Sequence, residues 1–299
     1  MSIITIQTKT EQEWLDLRLV DITSTKVSAL FGLSPYITKF ELWNRMKYNK
    51  VAEFESNERM KWGTVLEHTI AETVAKEQGW EARPMKEYMR DTELRAGSSF
   101  DWSIEGDNPG ILEVKNVDGL VYRNNWTETE APLHIEMQVQ HQLMVSGRSY
   151  AYIAVLVGGN ELHLIERKRD EVVISRMREE IMKFWKSIDD NEPPEPDFQA
   201  DAQFIAEVYG YAEPGKLFDA RGNTRLDELM AEYKEANAQE KLIKGVKASC
   251  KSEILTIIED AEKVTGDGYS ISAGIIGECK LDYTRKSYRN FKPYFKKVK

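Results

Sequence analysis

Residues 99–115 read SFDWSIEGDNPGILEVK and hold two carboxylates and an ammonium in a short span. Asp101 lies near the end of the apolar-alternating run 96–102, and Glu113 and Lys115 lie in the run 111–117. The Gly/Asp/Asn/Pro cluster between the two runs marks a hairpin turn. Residues two apart in a strand share a face, so Glu113 and Lys115 project together while Val114 points the other way. A hairpin that lays Asp101 alongside makes all three converge. Alone, an Asp…Glu-X-Lys pattern is equally well an ion pair on a solvated sheet face, because such charges recur by chance in many proteins.

Two further segments supply matching chemistry. Glu67 falls on the helical run 57–78, four residues after Gly63, a small residue that permits close backbone approach. Gln138 and Gln140 fall in HIEMQVQHQLMV, on a helix after the Glu-Val-Lys strand. Two residues apart on a helix do not share a face, so only one of these glutamines can join the acids. Three acids, a lysine and a glutamine spread over helix, strand, strand and helix are the parts of metal-assisted phosphodiester hydrolysis. Hard oxygen ligands suit Mg²⁺, with Mn²⁺ as substitute. Two such ions would stabilise the attacking and the leaving oxygen. Lys115 would orient or deprotonate the water and offset charge in the transition state.

The histidines offer rival readings. His68 is a register-shifted competitor of Glu67. His134 and His141 are seven apart on one helix face, but with no His-Glu-X-X-His motif and no nearby cysteine they do not read as a zinc site. His163 alternates within a strand and reads as structural.

These residues require a particular set of elements. Residues 11–31 read as one helix followed by a second, Ser34-Pro35 as a turn, and 38–48 as an amphipathic helix. In the run 57–78, Trp62, Leu66, Ile70 and Val74 recur every four residues, and Gly79 stops the helix. Strands are expected near 83–90, 96–102 and 111–117, and a helix over 132–145 with Pro132 in its first turn. Residues 150–157 and 161–166 form a hairpin across Gly158-Gly159-Asn160, and 172–188 is a helix packed on the sheet. The order predicts an α/β or α+β core with a mixed sheet flanked by helices. NEPPEPD at 191–197 marks a boundary, so the expected organisation is a core over 1–195, a connector over 196–225 and an appendage over 226–299. Its apolar residues from Leu226 to Ile257 keep a three/four spacing, as one long helix or a helical hairpin broken near Gly245.

Composition narrows the classes. The 299 residues are 41% hydrophobic, enough to bury a full core. No run of about eighteen apolar residues occurs, so no membrane span is expected, and the N-terminus lacks a secretory signature. Two cysteines, Cys250 and Cys279, are too few for a disulfide framework, and a reduced cytoplasmic setting is expected. The net charge of −9 is unevenly spread: residues 280–299 hold eight basic residues against Asp282 alone. Tyr283, Tyr288, Phe291, Tyr294 and Phe295 are interleaved with those charges. Cations for phosphates with rings for bases form a nucleic-acid pattern, and a solubilising tail with packed aromatics is the rival.

In ordered sequence the chain resembles the YqaJ/lambda-exonuclease family of phage recombination nucleases, within the PD-(D/E)XK restriction-endonuclease-like fold. EWLDLRLVDITSTKVSALFGLSPY and FELWNRM are similar to the family's opening, WGTVLEHTIAE to its Gly-x-x-x-Glu helix, SSFDW to the strand ending in the aspartate, LEVK to Glu-X-Lys, and MQVQHQLMV to the glutamine helix. The resemblance covers roughly residues 10–195. It implies Asp101, Glu113 and the Val114 carbonyl as metal ligands, with Glu67 contributing directly or through water. It implies Lys115 as the catalytic lysine and selects Gln138 to place the water or the lysine. Arg18, Thr25 and Ser99 fall where relatives hold the 5′-phosphate of a DNA end. Phe100 departs from the usual proline and Trp102 from the frequent glycine. The implied activity is 5′ to 3′ resection of linear duplex to leave 3′ single-stranded tails. The implied partners are double-stranded DNA ends, a single-strand annealing protein and further copies of the chain in a trimeric ring, in a phage or prophage protein of a bacterial host. A structure-specific or restriction-type endonuclease and a DNA-binding scaffold for the annealing protein are the alternatives.

Overall fold

A computed structural model of the protein describes residues 2–8, 10–49, 57–280, 289, 291 and 293. The chain divides into two compact units, Met1–Phe204 and Ile205–Lys299. Among the described residues no helix is long and apolar enough to cross a membrane.

The first unit runs β1 (Ile3–Gln7), α1 (Glu11–Val20), β2 (Ile22–Thr23), a 3-10 turn at Val27–Phe31, α2 (Lys39–Lys47), α3 (Glu58–Gln78), β3 (Ala82–Pro84), β4 (Glu87–Asp91), β5 (Ala96–Ser98), β6 (Trp102–Ile104), β7 (Gly110–Val117), α4 (Gly119–Asn125), α5 (Leu133–Ser146), β8 (Tyr150–Val157), β9 (Glu161–Lys168) and α6 (Glu171–Asp189). The helices start where short polar side chains can satisfy the first backbone N–H groups. Thr10, Thr38 and Asn57 accept from the N–H groups of Glu13, Glu41 and Met60, and each such cap is worth about 1 kcal/mol. Gly79 ends α3 in the left-handed region, at φ 67°, where a side chain would be strained.

Two sheets form where one was expected. The five-stranded sheet has the order β3-β6-β7-β8-β9, with β7 and β8 parallel and every other pair antiparallel. The four-stranded sheet has the order β1-β4-β5-β2. The mixed α/β architecture is as the sequence predicted, but two of its strands are split. The run 83–90 divides at Met85 and Lys86, so β3 joins one sheet and β4 the other; Pro84, which has no N–H to donate, is tolerated because β3 is an edge strand. The run 96–102 divides likewise into β5 and β6, and Asp101 sits in the bend between them. The second helix expected within 11–31 is instead β2, paired parallel with β5, and the 3-10 turn. The sequence reading missed β1 and α4, and Pro132 is the residue before α5 and not part of its first turn.

Two helices clasp the central strand β7 from opposite faces. Ile70, Ala71 and Val74 of α3 pack on Leu112 and Val114, while Trp62 of the same helix is exposed. Ile135, Val139 and Leu143 of α5 pack on Ile111, Ile153 and Val155. Each fully buried aliphatic side chain contributes roughly 1.5–3 kcal/mol, so the faces of β7 are firmly assigned. A third cluster joins α6, through Ile174, Met177, Ile181 and Phe184, to Val27, Leu30, Leu42 and Trp43.

In the second unit α8 (Thr224–Ile258) is one continuous helix through Gly245, and it buries none of its residues. A hairpin of β10 (Lys263–Gly266) and β11 (Tyr269–Ser272), absent from the sequence reading, follows it. A further short helix, α7 (Ala202–Val208), spans the boundary between the units. Most of the basic, aromatic segment 281–299 lies outside the described residues.

Candidate active site

The β6–β7 hairpin brings Asp101 beside the Glu-Val-Lys strand. Trp102 pairs with Leu112 and Ile104 with Gly110, which carries Asp101 to the level of Val114. Asp101 Oδ2 accepts the Val114 N–H at 2.8 Å. Glu113 is 1% exposed, and Lys115 donates to its Oε1. The shared face of Glu113 and Lys115 is the strand alternation at work.

Helix α5 closes the cluster with two glutamines. Gln138 Nε2 donates to Glu113 Oε1 at 2.5 Å and Gln142 Nε2 to Glu113 Oε2 at 2.7 Å. The two are one helical turn apart and share a face. Gln140 turns away, donating to the Lys168 carbonyl and accepting the Asp170 N–H. Gln142 was missed in the sequence reading, although the Gln-x-x-x-Gln spacing could have signalled it. It also donates to the Ser99 carbonyl at 3.3 Å.

Glu67 adds a third negative charge from α3. Burial raises its pKa first, and the charge of Glu113 adds to the effect. Asp101 is pushed well above the usual carboxylate range by burial, then by Glu113 and, more weakly, Glu67. Burial opposes the charge on Lys115, but Glu113 and Asp101 outweigh it and keep the ammonium more basic than an ordinary lysine. His68, the rival of Glu67, is exposed, pairs with Glu72 at 3.2 Å and packs against Trp102. His141 lies buried against Ser98 with its pKa depressed to about 3 by burial, whereas His134 meets Tyr36 edge-on. His163 stacks on Tyr122.

The donor set fits a hard divalent cation in chemistry. Three carboxylates face one ammonium; burial first, and then their mutual repulsion, raises the pKa of Asp101 and Glu67, and a cation among them would offset that repulsion. Lys115 and Gln138 both donate to Glu113 Oε1, whereas Oε2 accepts from Gln142 alone and keeps a lone pair for an ion. Among the described residues no three acids, histidines or cysteines stand as a ready cage. Val114 is buried beside them in the β7–β8 ladder, opposite Ala154.

The second group of candidates assembles around α1. Arg18 Nη2 donates to Thr25 Oγ1 at 3.0 Å, and its guanidinium lies 4.5 Å from the centre of the Trp14 ring. Trp14 Nε1 donates in turn to Ser99 Oγ at 2.6 Å. Thr25, Arg18, Trp14 and Ser99 thus form one chain of contacts, and Ser99 belongs to both groups through its hydroxyl and its carbonyl. Lys26, which the sequence reading did not single out, donates to the Arg18 carbonyl where α1 ends. Burial, then the charge of Arg18, lowers its pKa to about 7.

Comparisons with known proteins agree with the resemblance drawn from the motifs. Residues 13–149 match the family model of the YqaJ-like viral recombinase domain, a window that contains every candidate residue above. The chain is 28% identical over 293 residues to the uncharacterized protein YqaJ of Bacillus subtilis (strain 168), spanning 96% of this chain and 90% of that one. It is similar to the crystal structure of an alkaline exonuclease (LHK-Exo) from Laribacter hongkongensis at 17% identity and a TM-score of 0.49, over 66% of this chain and 99% of the other. A phage related exonuclease from Haemophilus somnus 129PT is similar at 14% identity and a TM-score of 0.42, over 68% and 91%. The acid–lysine cluster lies inside the window that is similar to the viral recombinase domain.

Proposed function

We propose that this chain is a Mg²⁺-dependent exonuclease that resects linear duplex DNA from 5′ ends and leaves 3′ single-stranded tails for an annealing protein. The observation that carries the reading is the sharing of Ser99. Its carbonyl accepts from Gln142 of the acid cluster, and its hydroxyl accepts from Trp14 of the Arg18 pocket. A site for cutting and a site for an anion are thereby held at fixed separation, which suits an enzyme that measures from a phosphorylated end.

Asp101, Glu113 and Glu67, with the Val114 carbonyl, would hold the metal. When bound, the metal supplies charge stabilisation for the attacking and leaving oxygens. Lys115 contributes an ammonium at the edge of the cluster, placed to orient a water and to offset charge building on the phosphoryl oxygens. Gln138 and Gln142 fix the Glu113 carboxylate, which sets its direction toward the reacting centre. Arg18 and Thr25 supply a guanidinium and a hydroxyl, the groups that hold a terminal phosphate by charge-assisted hydrogen bonds.

End-labelled linear duplex tests the reading. Digestion should require Mg²⁺ or Mn²⁺, release label from the 5′-phosphorylated strand first, and spare covalently closed circular duplex. Cleavage of the closed circle would favour the endonuclease alternative, and binding without cleavage in either metal would favour the scaffold.

A further inference from the structure

We propose that α8 pairs antiparallel with α8 of a second copy of this chain. The helix spans Thr224–Ile258 and buries no residue, although it carries a run of apolar side chains. Leu229 and Tyr233 are 43% and 42% exposed, and Ile243 and Val246 are 65% and 57% exposed. A 35-residue helix with no buried face is short of a partner, because most helical stability in proteins comes from packing one face.

Two features of the helix select the partner. The first is its spacing. Within the longer apolar run from Leu226 to Ile257, the central six, Leu229, Tyr233, Ala236, Ile243, Val246 and Cys250, follow one another at intervals of 4, 3, 7, 3 and 4, which reads the same from either end. Leu226, Ile254 and Ile257 extend the run beyond the mirrored part. At about 100° per residue all six fall on one face of the helix. A stripe with mirror spacing matches itself when one copy is reversed: Leu229 comes level with Cys250 of the second copy, Tyr233 with Val246, and Ala236 with Ile243. Self-matching of one patch is what an isologous two-fold interface requires.

The second feature is charge. Residues 224–240 carry Asp227, Glu228, Glu232, Glu235 and Glu240 against Arg225 and Lys234, a net −3. Residues 241–258 carry Lys241, Lys244, Lys247 and Lys251 against Glu253, a net +3. A parallel pair would set acid half on acid half and basic half on basic half. The antiparallel pair sets each acid half beside a basic one, so the charges choose the same direction as the stripe.

Phe291 packs edge-on against Tyr233 within one chain, so the tail reaches the acidic half of the stripe and a second helix would share or displace that contact.

Particle mass and cross-linking of the full chain test the pairing. At tens of micromolar, the wild-type particle should hold more copies of the chain than an Ile243→Glu/Val246→Glu variant, twice as many where α8 alone joins the two copies. Both positions are exposed within one chain, so the variant should keep its catalytic unit folded, seen as unchanged cleavage per molecule. Converting Glu228, Glu232 and Glu235 to lysine should also lower the mass at low salt. Adding glutamate at Lys244, Lys247 and Lys251 in the same chain should restore it. Direction is read from cysteines in a Cys279→Ser background. Leu229→Cys should cross-link to Cys250 of the other copy, while Cys250 alone should not, since the two Cys250 residues would stand roughly 30 Å apart. Equal masses for wild type and variant at all concentrations would overturn the pairing, and a link between two Cys250 residues would overturn its direction.

Discussion

The acid cluster and the Arg18 pocket touch the same residue, Ser99, yet they are built in opposite ways. In the cluster each oxygen of Glu113 accepts a hydrogen bond, from Lys115, Gln138 or Gln142, and the carboxylate is almost wholly buried. In the pocket Arg18 is stacked on Trp14 and bonded to Thr25, with most of its five donors uncommitted among the described residues. The Glu113 carboxylate is tied in place by three donors and keeps a lone pair on Oε2. The Arg18 guanidinium is held mainly by stacking and by one hydrogen bond. The difference teaches that the cluster is fixed through its acceptors, whereas the Arg18 group leaves donors open.

The largest test of this contrast removes the acids. Asp101→Ala or Glu113→Ala should lower the cleavage rate by about a thousand-fold or more, because several kcal/mol of charge stabilisation depend on them. Asp101→Ala should leave the melting temperature within a few degrees, since relief of a repelled, buried carboxylate offsets the lost bond to Val114. Cleavage at the wild-type rate by either variant would remove the cluster from the mechanism.

A smaller effect should follow in the cluster's support. Gln142→Leu leaves one Glu113 oxygen without its donor and cuts the link to Ser99. An unsatisfied buried acceptor costs about 1–3 kcal/mol, so thermal melting should fall by several degrees and cleavage by roughly ten-fold or more. Gln140→Leu should lower stability, through the Lys168 and Asp170 contacts, with cleavage per folded molecule nearly unchanged. If the two variants lost cleavage equally, the distinction between the glutamines would fail.

In the pocket, Arg18→Ala should lower the preference for 5′-phosphorylated over 5′-hydroxyl ends by about ten-fold, the worth of one charge-assisted contact. Equal slowing on both substrates would make Arg18 a general DNA contact.

Lys26 should affect stability and not cleavage. Its pKa in the fold, about 7, lies below the ordinary lysine value of 10.5 that the unfolded chain would show. Between those values the unfolded chain binds more protons, so stability rises with pH from about 7 and levels off near 10.5. Lys26→Met should flatten that rise in melting temperature. The same pH dependence in wild type and variant would assign it to another group.

Legibility followed the range of the interactions. Turn chemistry and strand alternation are local, and they placed the β6–β7 and β8–β9 hairpins and the common face of Glu113 and Lys115. Capping residues are local too, and Thr38, Asn57 and Gly79 marked the ends of their helices. The run 96–102 looked like one strand because its apolar pattern does not break at Ser99. Only the competition between two sheets divides it there and sets Asp101 in the bend.

By itself the sequence determined most of the elements that carry the candidate residues and the pairing of Glu113 with Lys115 on one strand face. Tertiary structure alone decided that Gln142 joins Gln138 while Gln140 serves β9 and the start of α6. It also decided that Ser99 belongs to both groups and that Lys26 caps the end of α1. Those outcomes depend on which face of α5 packs against β7 and on how α1 lies against the bend before β6. Such contacts join residues far apart in the chain: the Gln-x-x-x-Gln spacing puts two glutamines on one face, but only packing decides which face meets β7.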